Sequence, residues 1–231
     1  MLSISQTSHY YNFLEWVPSE SGLEVVKFGK LKLKQDLSNK NSIQSIIDEF
    51  NPISKQDSNS ISLSIDINNV QVSSIKIDPK VDTYKFIDWY EKNILGRYVS
   101  DNFHIHYYPI QNNYLMIICI DKILRKNLIQ SAKTAGYNLV DINIGIFSAY
   151  HSVNQIKKIN NINNYLIWKI DKNNIHYISY YEKNNFYCMV KVKKTGDKIK
   201  EINLVGDTIF CNKVIDYLKR KLIDKKNKYN I

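Results

Sequence analysis

The segment YLMIICIDKILRKNLIQSAKTAGYNLVDINIGIFSAYHSVN, residues 114–154, decides the fold class. Its first part, 114–120, is an almost wholly apolar run, which is typical of a central strand covered on both faces. Residues 121–135 carry a helical pattern that ends at Gly136, a residue suited to the C-terminal cap of a helix. A second strand is predicted over 137–142, and another helix follows it. This strand–helix–strand–helix order predicts an α/β protein.

Hairpins and single helices are predicted before this segment. In order, they are a hairpin of strands 10–17 and 23–34, a helix within 36–49, a second hairpin over 61–77 that turns at Asn68-Asn69, and a helix over 82–95 that Gly96 ends before an extended stretch. Each hairpin rests on alternating apolar residues on both sides of turn-forming residues.

Strands predominate after the segment. The Asn-rich stretch 155–164 predicts a turn or a boundary between lobes. The later elements are predicted strands at 165–170, 174–181, 185–193 and 199–205, and a helix over about 208–223. Hairpins, then α/β alternation, then a meander indicate two lobes, each a mixed sheet with helices packed on it.

Charge gives an ambiguous indication of partners. The chain of 231 residues carries a net charge of +10, which suggests nucleic-acid binding. Only three of its 32 cationic residues are Arg and the cations are mostly scattered, so we expect the excess to reflect composition more than phosphate binding. The one dense basic run, from Lys213 onward, is interpreted either as a solvated helix and tail or as a loose contact with acidic partners or an anionic membrane.

Targeting and redox signals predict a cytoplasmic protein. No apolar run reaches the length of a membrane span, and the first residues lack a cationic region followed by an apolar core. Cys119, Cys188 and Cys211 are far apart and set in apolar runs, so we expect buried thiols in a reducing compartment. His104 and His106 share a strand face but lack a third ligand, and no metal site is predicted.

Motifs for common catalytic chemistries are missing. With seven glycines and no glycine-rich loop, the chain has neither a Walker A nor a dinucleotide-binding motif, and it has no nucleophile elbow or zinc-protease motif. The acid–base candidates are Asp66, Asp88, Asp141, Asp171, Asp207 and His151. Each also fits a cap, a turn or a structural position, because none has a partner at a defined spacing. No catalytic residue is therefore predicted.

Tyrosine is abundant, with 17 residues in the chain. Tyr107-Tyr108, Tyr180-Tyr181 and Tyr187 fall on or beside predicted strands. A tyrosine face can bind a partner, because its rings are apolar and its hydroxyls are wet. The same residues can equally serve core and edge packing, and both interpretations stay open.

Two segments together resemble a known family. The first has Ile77-Asp78-Pro79 at the end of a predicted hairpin, Trp89-Tyr90-Glu91 on a helix, and then HIHYYPI at 104–110. The second is the 114–154 segment, with Ala135-Gly136, Val140-Asp141-Ile142 and Phe147-Ser148-Ala149. This series is similar to PilM-type pilus assembly proteins of the actin-like ATPase superfamily.

The resemblance implies a two-lobed actin-like (RNase H-like) α/β fold with mixed sheets, a small inserted α+β subdomain and an incomplete second lobe. In that interpretation residues 1–155 form the first lobe, including an inserted subdomain at 60–110, and residues 156–231 form a reduced second lobe. The segment INLVGD, 202–207, resembles the glycine-bearing nucleotide-contact strand of the family.

Departures from the family pattern concern its phosphate loops. The family has an Asp-x-Gly after its first strand, where this chain has EWVPSESG at 15–22. The second loop keeps Asp171 but continues as Lys172-Asn173-Asn174 without glycine, and a side chain there obstructs close phosphate approach. Only residues 193–198 precede the strand that leads into INLVGD, so one wall of the nucleotide cleft is expected to be missing.

The leading hypothesis is therefore a non-catalytic, cytoplasmic scaffold that resembles PilM, without cofactor or metal. It would dock a short peptide tail of a membrane partner in a type IV pilus or secretion assembly, with peripheral contact at the inner membrane. One alternative is an actin-like ATPase or switch that binds ATP and Mg through Asp171, Gly206 and Asp207. The other is a basic nucleic-acid-binding module, whose affinity would fall steeply with salt.

Overall fold

The computed structural model describes residues 1–7, 9–20, 22–32, 34–37, 39, 41–53, 59–155, 163–171 and 173–223, without the side chains of 23, 151–155 and 223. Most of the predicted lobe boundary at 155–164, Lys172 and the basic tail beyond 223 lie outside the described residues. Contacts divide the chain into two compact units, Met1–Val70 with Ile120–Ser148 and Gln71–Cys119 with Ala149–Ile231. The lobe limits derived from the sequence remain predictions.

The secondary structure is a mixture of strands and helices. The strands are β1 (Leu2–Gln6), β2 (Tyr10–Ser19), β3 (Gly22–Lys32), β4 (Ser60–Ile65), β5 (Val70–Lys76), β6 (Phe103–Ile110), β7 (Tyr114–Asp121), β8 (Asn138–Ile144), β9 (Asn164–Ile170), β10 (Ile175–Glu182), β11 (Asn185–Thr195) and β12 (Lys198–Gly206). The helices are α1 (Ser42–Phe50), α2 (Thr83–Tyr90), α3 (Gly96–Asn102), α4 (Lys122–Thr134), α5 (Gly145–Gln155) and α6 (Thr208–Ile223). The predicted strand–helix–strand–helix order of 114–154 is confirmed as β7, α4, β8 and α5.

The first unit is built on a five-stranded sheet in the order β3-β2-β1-β4-β8. Strands β1, β2 and β3 form an antiparallel meander, β4 lies parallel to β1, and β8 lies parallel to β4. Alternate side chains of β1 and β4, such as Ile4 and Leu63, point to one face and pack with Ile43 of α1 and Leu128 of α4. The side chain of Asp121 starts α4 by accepting hydrogen bonds from the first free backbone N–H groups of the helix.

The predicted hairpin over 61–77 is wrong. Its two strands lie in different sheets, because β4 belongs to the five-stranded sheet and β5 to a three-stranded one. Between them the chain makes a short 3-10 turn, Ile67–Asn69, in which Asp66 Oδ1 accepts the N–H of Asn68 at 3.0 Å. Alternation indicates which face of a strand is buried but not which strand it pairs with. The limits predicted for the inserted subdomain, 60–110, remain a prediction.

The second unit contains that three-stranded sheet, in the order β5-β7-β6. The central strand β7 is buried from Leu115 to Ile120, as its apolar run predicts, although it lies in the small sheet and not beside β8. Helix α2 continues through a π-helical turn, Glu91–Leu95, and then α3. Gly96, at φ +67°, ends the first helical stretch as predicted. A further helix, α3, then precedes the predicted extended stretch, which is confirmed as β6.

A four-stranded antiparallel sheet, in the order β12-β11-β10-β9, completes the second unit. Helix α6 packs on one face of it, where Val214 and Leu218 meet Ile178 and Val190 in a buried cluster. The meander predicted after residue 164 is confirmed, and β12 extends it on the β11 side. Among the helices that the structure describes, none has both the length and the apolar character needed to span a membrane.

Candidate functional site

Asp171 closes the tight turn between β9 and β10. Its side chain is buried, and Oδ1 accepts the backbone N–H groups of Asn173 at 2.8 Å and Ile175 at 3.0 Å. Asn173 stands where the family has its glycine, and the next residue, Asn174, adopts a left-handed conformation at φ +58°. Asn tolerates this conformation because its short polar side chain bonds locally. The Asp171 carboxylate thus stabilises the turn through these hydrogen bonds.

Gly206 ends β12 at a point of close backbone approach. It has φ +92°, and an added Cβ would collide with the carbonyl oxygen of Tyr187 on β11. Its N–H donates to Ser74 Oγ at 2.7 Å. Glycine is required here for packing between strands, whatever else the position does.

Asp207 caps α6. Its Oδ1 accepts the N–H groups of Ile209 at 2.7 Å and Phe210 at 3.3 Å, and its Oδ2 accepts from Asn112 Nδ2 at 2.6 Å. Burial on its own would raise the pKa of Asp207, but these hydrogen bonds and the nearby Lys76 ammonium outweigh burial and hold the pKa below its usual value. The group is therefore an ionised helix cap at neutral pH.

The three predicted nucleotide-contact residues do not come together. Gly206 lies opposite Cys188, and Cys188 lies opposite Tyr180 of β10. Asp171 instead bonds to Ile175, at the other end of β10. Ile175 and Tyr180 are about 17 Å apart along the strand at the usual rise per residue. Gly206 and its neighbour at 207 form one local cluster, and Asp171 belongs to a separate turn.

The other acidic candidates bond to side chains or backbone close to them in sequence. These pairs are Asp66 with Asn68, Asp88 with Lys92, and Asp141 with Asn143. His151 lies in α5, and its side chain is outside the described residues. The three cysteines are buried, as predicted. In the described part of the chain, no group of three or more side chains is arranged to hold a metal ion.

Packing accounts for part of the tyrosine surface. Tyr181 is 2% exposed and stacks on Tyr165 with ring centroids 5.1 Å apart. Tyr180 stacks on Phe210 of α6 at 5.4 Å. Tyr108 on β6, in contrast, is 48% exposed. Packing therefore accounts for Tyr180 and Tyr181, whereas Tyr108 offers an exposed ring to a partner.

Residues 83–102 carry an unusual exposed surface that the candidate list missed. None of the residues in α2, the π-helical turn or α3 is buried. Four large side chains, which we call the exposed quartet, are Tyr84, Trp89, Ile94 and Tyr98, with exposed fractions of 84%, 50%, 56% and 76%. The sequence signal was the density of aromatic residues in TYKFIDWY, which exceeds what a short helix can bury on one face.

A cleft of about 160 Å³ opens beside the start of α2. Its walls are Ile77, Asp78, Pro79, Val81, Thr83, Pro109, Ile110, Asn113, Tyr114 and Leu115. The lining mixes apolar side chains with polar groups, and Asp78 supplies a carboxylate whose Oδ1 accepts the N–H of Lys80 at 2.9 Å. Pockets for small-molecule ligands usually measure about 300–1,000 Å³. This cleft therefore suits one or two side chains of a peptide better than a nucleotide.

Comparison with known proteins shows a likeness in structure and none in sequence. No protein-family model matches the chain, and no curated protein matches its sequence. A solved structure described as the PilM–PilN type IV pilus biogenesis complex contains a chain with TM-score 0.59 and 9% identity over 98% of this chain and 74% of that one. At this identity the likeness concerns the fold alone.

Two further structures show weaker likeness. The cytoplasmic domain of EpsL, an inner membrane component of the type II secretion system of Vibrio cholerae, has TM-score 0.49 and 9% identity over 87% of this chain and 70% of that one. A protein with an actin-like ATPase fold from Bacteroides thetaiotaomicron has TM-score 0.46 and 12% identity over 96% and 76%. The chain is a mixed α/β protein with several sheets and shares its fold with the chain of the PilM–PilN complex, so the α/β fold class predicted from the sequence is confirmed.

Proposed function

We propose that this chain is a non-catalytic, PilM-like scaffold of a type IV pilus or secretion assembly. It docks a short peptide tail of a membrane partner through the exposed quartet and the adjoining cleft. The observation that carries the proposal is the run of 83–102 without a single buried residue, on which four large apolar side chains face solvent. The fold shared with a chain of the PilM–PilN complex supports the same interpretation.

The chemistry of this surface favours a peptide. Trp and Tyr dominate binding hot spots because they offer large, rigid contact areas at low entropy cost. Residues 80–102 hold four cations, Lys80, Lys85, Lys92 and Arg97, and four acids, Asp82, Asp88, Glu91 and Asp101. With no net charge, the segment gains little from lipid or nucleic-acid phosphates. The Asp78 carboxylate in the cleft favours a basic or amide-bearing side chain on the peptide.

The absence of catalysis is part of the proposal. Oδ1 of Asp171 and Oδ1 of Asp207 each accept two backbone N–H groups, and Gly206 is needed where β12 approaches β11. The turn at Asp171 and the end of β12 at Gly206 are about 17 Å apart along β10, which further supports structural roles for these residues. A location on the cytoplasmic side of the inner membrane follows from the proposed partner, and the net charge of +10 suits an anionic lipid surface nearby.

Fluorescence anisotropy with labelled peptides tests the proposal. The peptides are the cytoplasmic segments that adjoin the transmembrane helices of pilus and secretion components from the same organism. One of them should bind at low-micromolar Kd, and Trp89→Ala should weaken it roughly 30-fold, as expected for a hot spot worth about 2 kcal/mol.

The matched control is Phe28→Ala, which removes a 78% exposed aromatic side chain of β3. It should leave the affinity unchanged. Circular dichroism should show that Trp89→Ala stays folded, because α2 has no buried residue. The proposal fails if no peptide binds tighter than about 100 μM, or if both variants bind as the wild type does.

A further inference from the structure

Strand β9 is an open edge of the four-stranded sheet. Within the described residues it pairs with β10 and with no other strand. The bond from Asp171 N to Ile175 O, with Lys183 N to Asn163 O at the other end, fixes which backbone groups face β10. Odd-numbered residues of β9 bond to β10, so the N–H and C=O groups of 164, 166, 168 and 170 point outward.

The first unit contains the same meander with that edge filled. There β1 is the first strand of β1-β2-β3, and its outer edge carries the parallel strand β4. In the second unit β9 is the first strand of β9-β10-β11, and β12 has joined the opposite side. In the first unit a strand therefore pairs with the outer edge of the first strand of the meander, and the corresponding edge in the second unit is that of β9.

The sequence of β9 carries few of the devices that protect strand edges. Asn164–Ile170, NYLIWKI, has no proline and one charge, Lys169, and its register with β10 runs without a bulge. Ile170 is 53% exposed. Natural edge strands without proline, bulges or several charges invite pairing with another strand.

We infer that the β9 edge pairs with the β9 edge of a second copy of this chain, antiparallel about a twofold axis at Ile167. This register sets Leu166 opposite Trp168 of the second copy and Asn164 opposite Ile170. Both pairs use residues whose backbone groups point outward, so each forms hydrogen bonds in both directions. The two sheets become one continuous eight-stranded sheet.

Charge selects this arrangement over a parallel one. In the antiparallel register Lys169 lies opposite Tyr165 of the second copy, a pairing of a cation with an aromatic ring. Lys169 already lies over the Tyr177 ring, with Nζ 5.8 Å from the centroid, so its side chain is on a tyrosine-rich face. A parallel, in-register pair would set the two Lys169 side chains beside each other, which costs free energy.

Cysteine cross-linking tests the register. In Ile167→Cys the two new thiols face each other at a non-hydrogen-bonded pair, with Cα atoms about 4.5 Å apart, close enough for a disulfide. In the control Lys169→Cys each thiol is two residues from the axis, and the pair is about 13 Å apart. The wild type is the background control, because its three cysteines are buried.

Mild oxidation should convert most of Ile167→Cys into a covalent dimer and leave Lys169→Cys and the wild type monomeric on a non-reducing gel. Sedimentation equilibrium of the unmodified wild type should show a concentration-dependent dimer, which Ile167→Lys weakens at least tenfold by opposing two like charges. A wild type that sediments as a monomer throughout, or equal cross-linking of the two cysteine variants, overturns the inference. No peptide is present in these assays, so their outcome is independent of the proposed docking function.

Discussion

Gly206, which the resemblance assigns to nucleotide contact, is also required by the packing of β12 on β11. Its positive φ and the Tyr187 carbonyl leave no room for a Cβ. We expect Gly206→Ala to lower the free energy of unfolding by about 2–4 kcal/mol, through backbone strain and the forced shift of β12 from β11. Urea unfolding measures the difference.

Gly29→Ala is the matched control for this substitution. Gly29 lies in β3 with nothing within 4 Å of an added Cβ and without a positive φ. Its replacement should leave stability unchanged or raise it slightly, because Ala suits a strand interior better than Gly. Equal effects of the two substitutions would contradict the close approach at Gly206.

Asp207 gives a pH-dependent prediction. Its pKa is lower in the folded protein than in the unfolded chain, so the ionised group stabilises the fold above about pH 4, and this contribution is lost as pH falls through the lowered pKa. Asn at this position still caps the helix but does not titrate. The stability advantage of wild type over Asp207→Asn should therefore shrink between about pH 5 and pH 2. An advantage that stays constant over that range would show that the cap does not depend on charge.

At the scale of elements, α4 offers a test of the first core with two adjacent residues. Leu128 is fully buried among residues of the five-stranded sheet and α1, whereas Ile129 is 40% exposed. Leu128→Ala should cost about 2–5 kcal/mol, because it removes buried methyl groups and leaves a cavity. Ile129→Ala should cost no more than about 0.5 kcal/mol. Thermal or urea unfolding measures both losses. A larger loss of stability for Ile129→Ala than for Leu128→Ala would contradict this packing.

The elements that sequence predicted well are those with local signals. Helix α4 is bounded by Asp121, which accepts the N–H of Ile123 at 2.7 Å, and by Gly136 at φ +79°. Both residue types mark helix ends through bonds within a few residues. The unbroken apolar run of β7 predicted that this strand is buried.

The elements that sequence missed depend on distant partners. The alternation in β4 and β5 fits a hairpin as well as it fits two strands in separate sheets, since a strand pattern does not name its neighbour. The pattern of α2 fits a buried face, and only the tertiary structure leaves Trp89 half exposed. Sequence likewise does not reveal the strand register that sets Asp171 beside Ile175, at the start of β10, and Gly206 two strands away from Tyr180.

At the scale of the whole molecule, the excess positive charge serves packing as well as solubility. Among the described residues, seven lysine ammonium groups lie over aromatic rings; they are Lys27, Lys30, Lys76, Lys169, Lys191, Lys213 and Lys221. They are spread over both compact units. Such a distribution differs from the clustered basic stripe of a nucleic-acid-binding surface. It favours the scaffold over the nucleic-acid alternative.

The most direct measurement is the Kd of the docked peptide, by fluorescence anisotropy at near-physiological salt, with and without saturating Mg-ATP. A nucleotide-independent scaffold predicts one low-micromolar Kd that is the same in both conditions, because a ligand without differential affinity for two states shifts nothing. Peptide binding that appears only with Mg-ATP, or that tightens or weakens tenfold with it, would contradict the account. That result would mean that Asp171, Gly206 and Asp207 still serve a nucleotide switch.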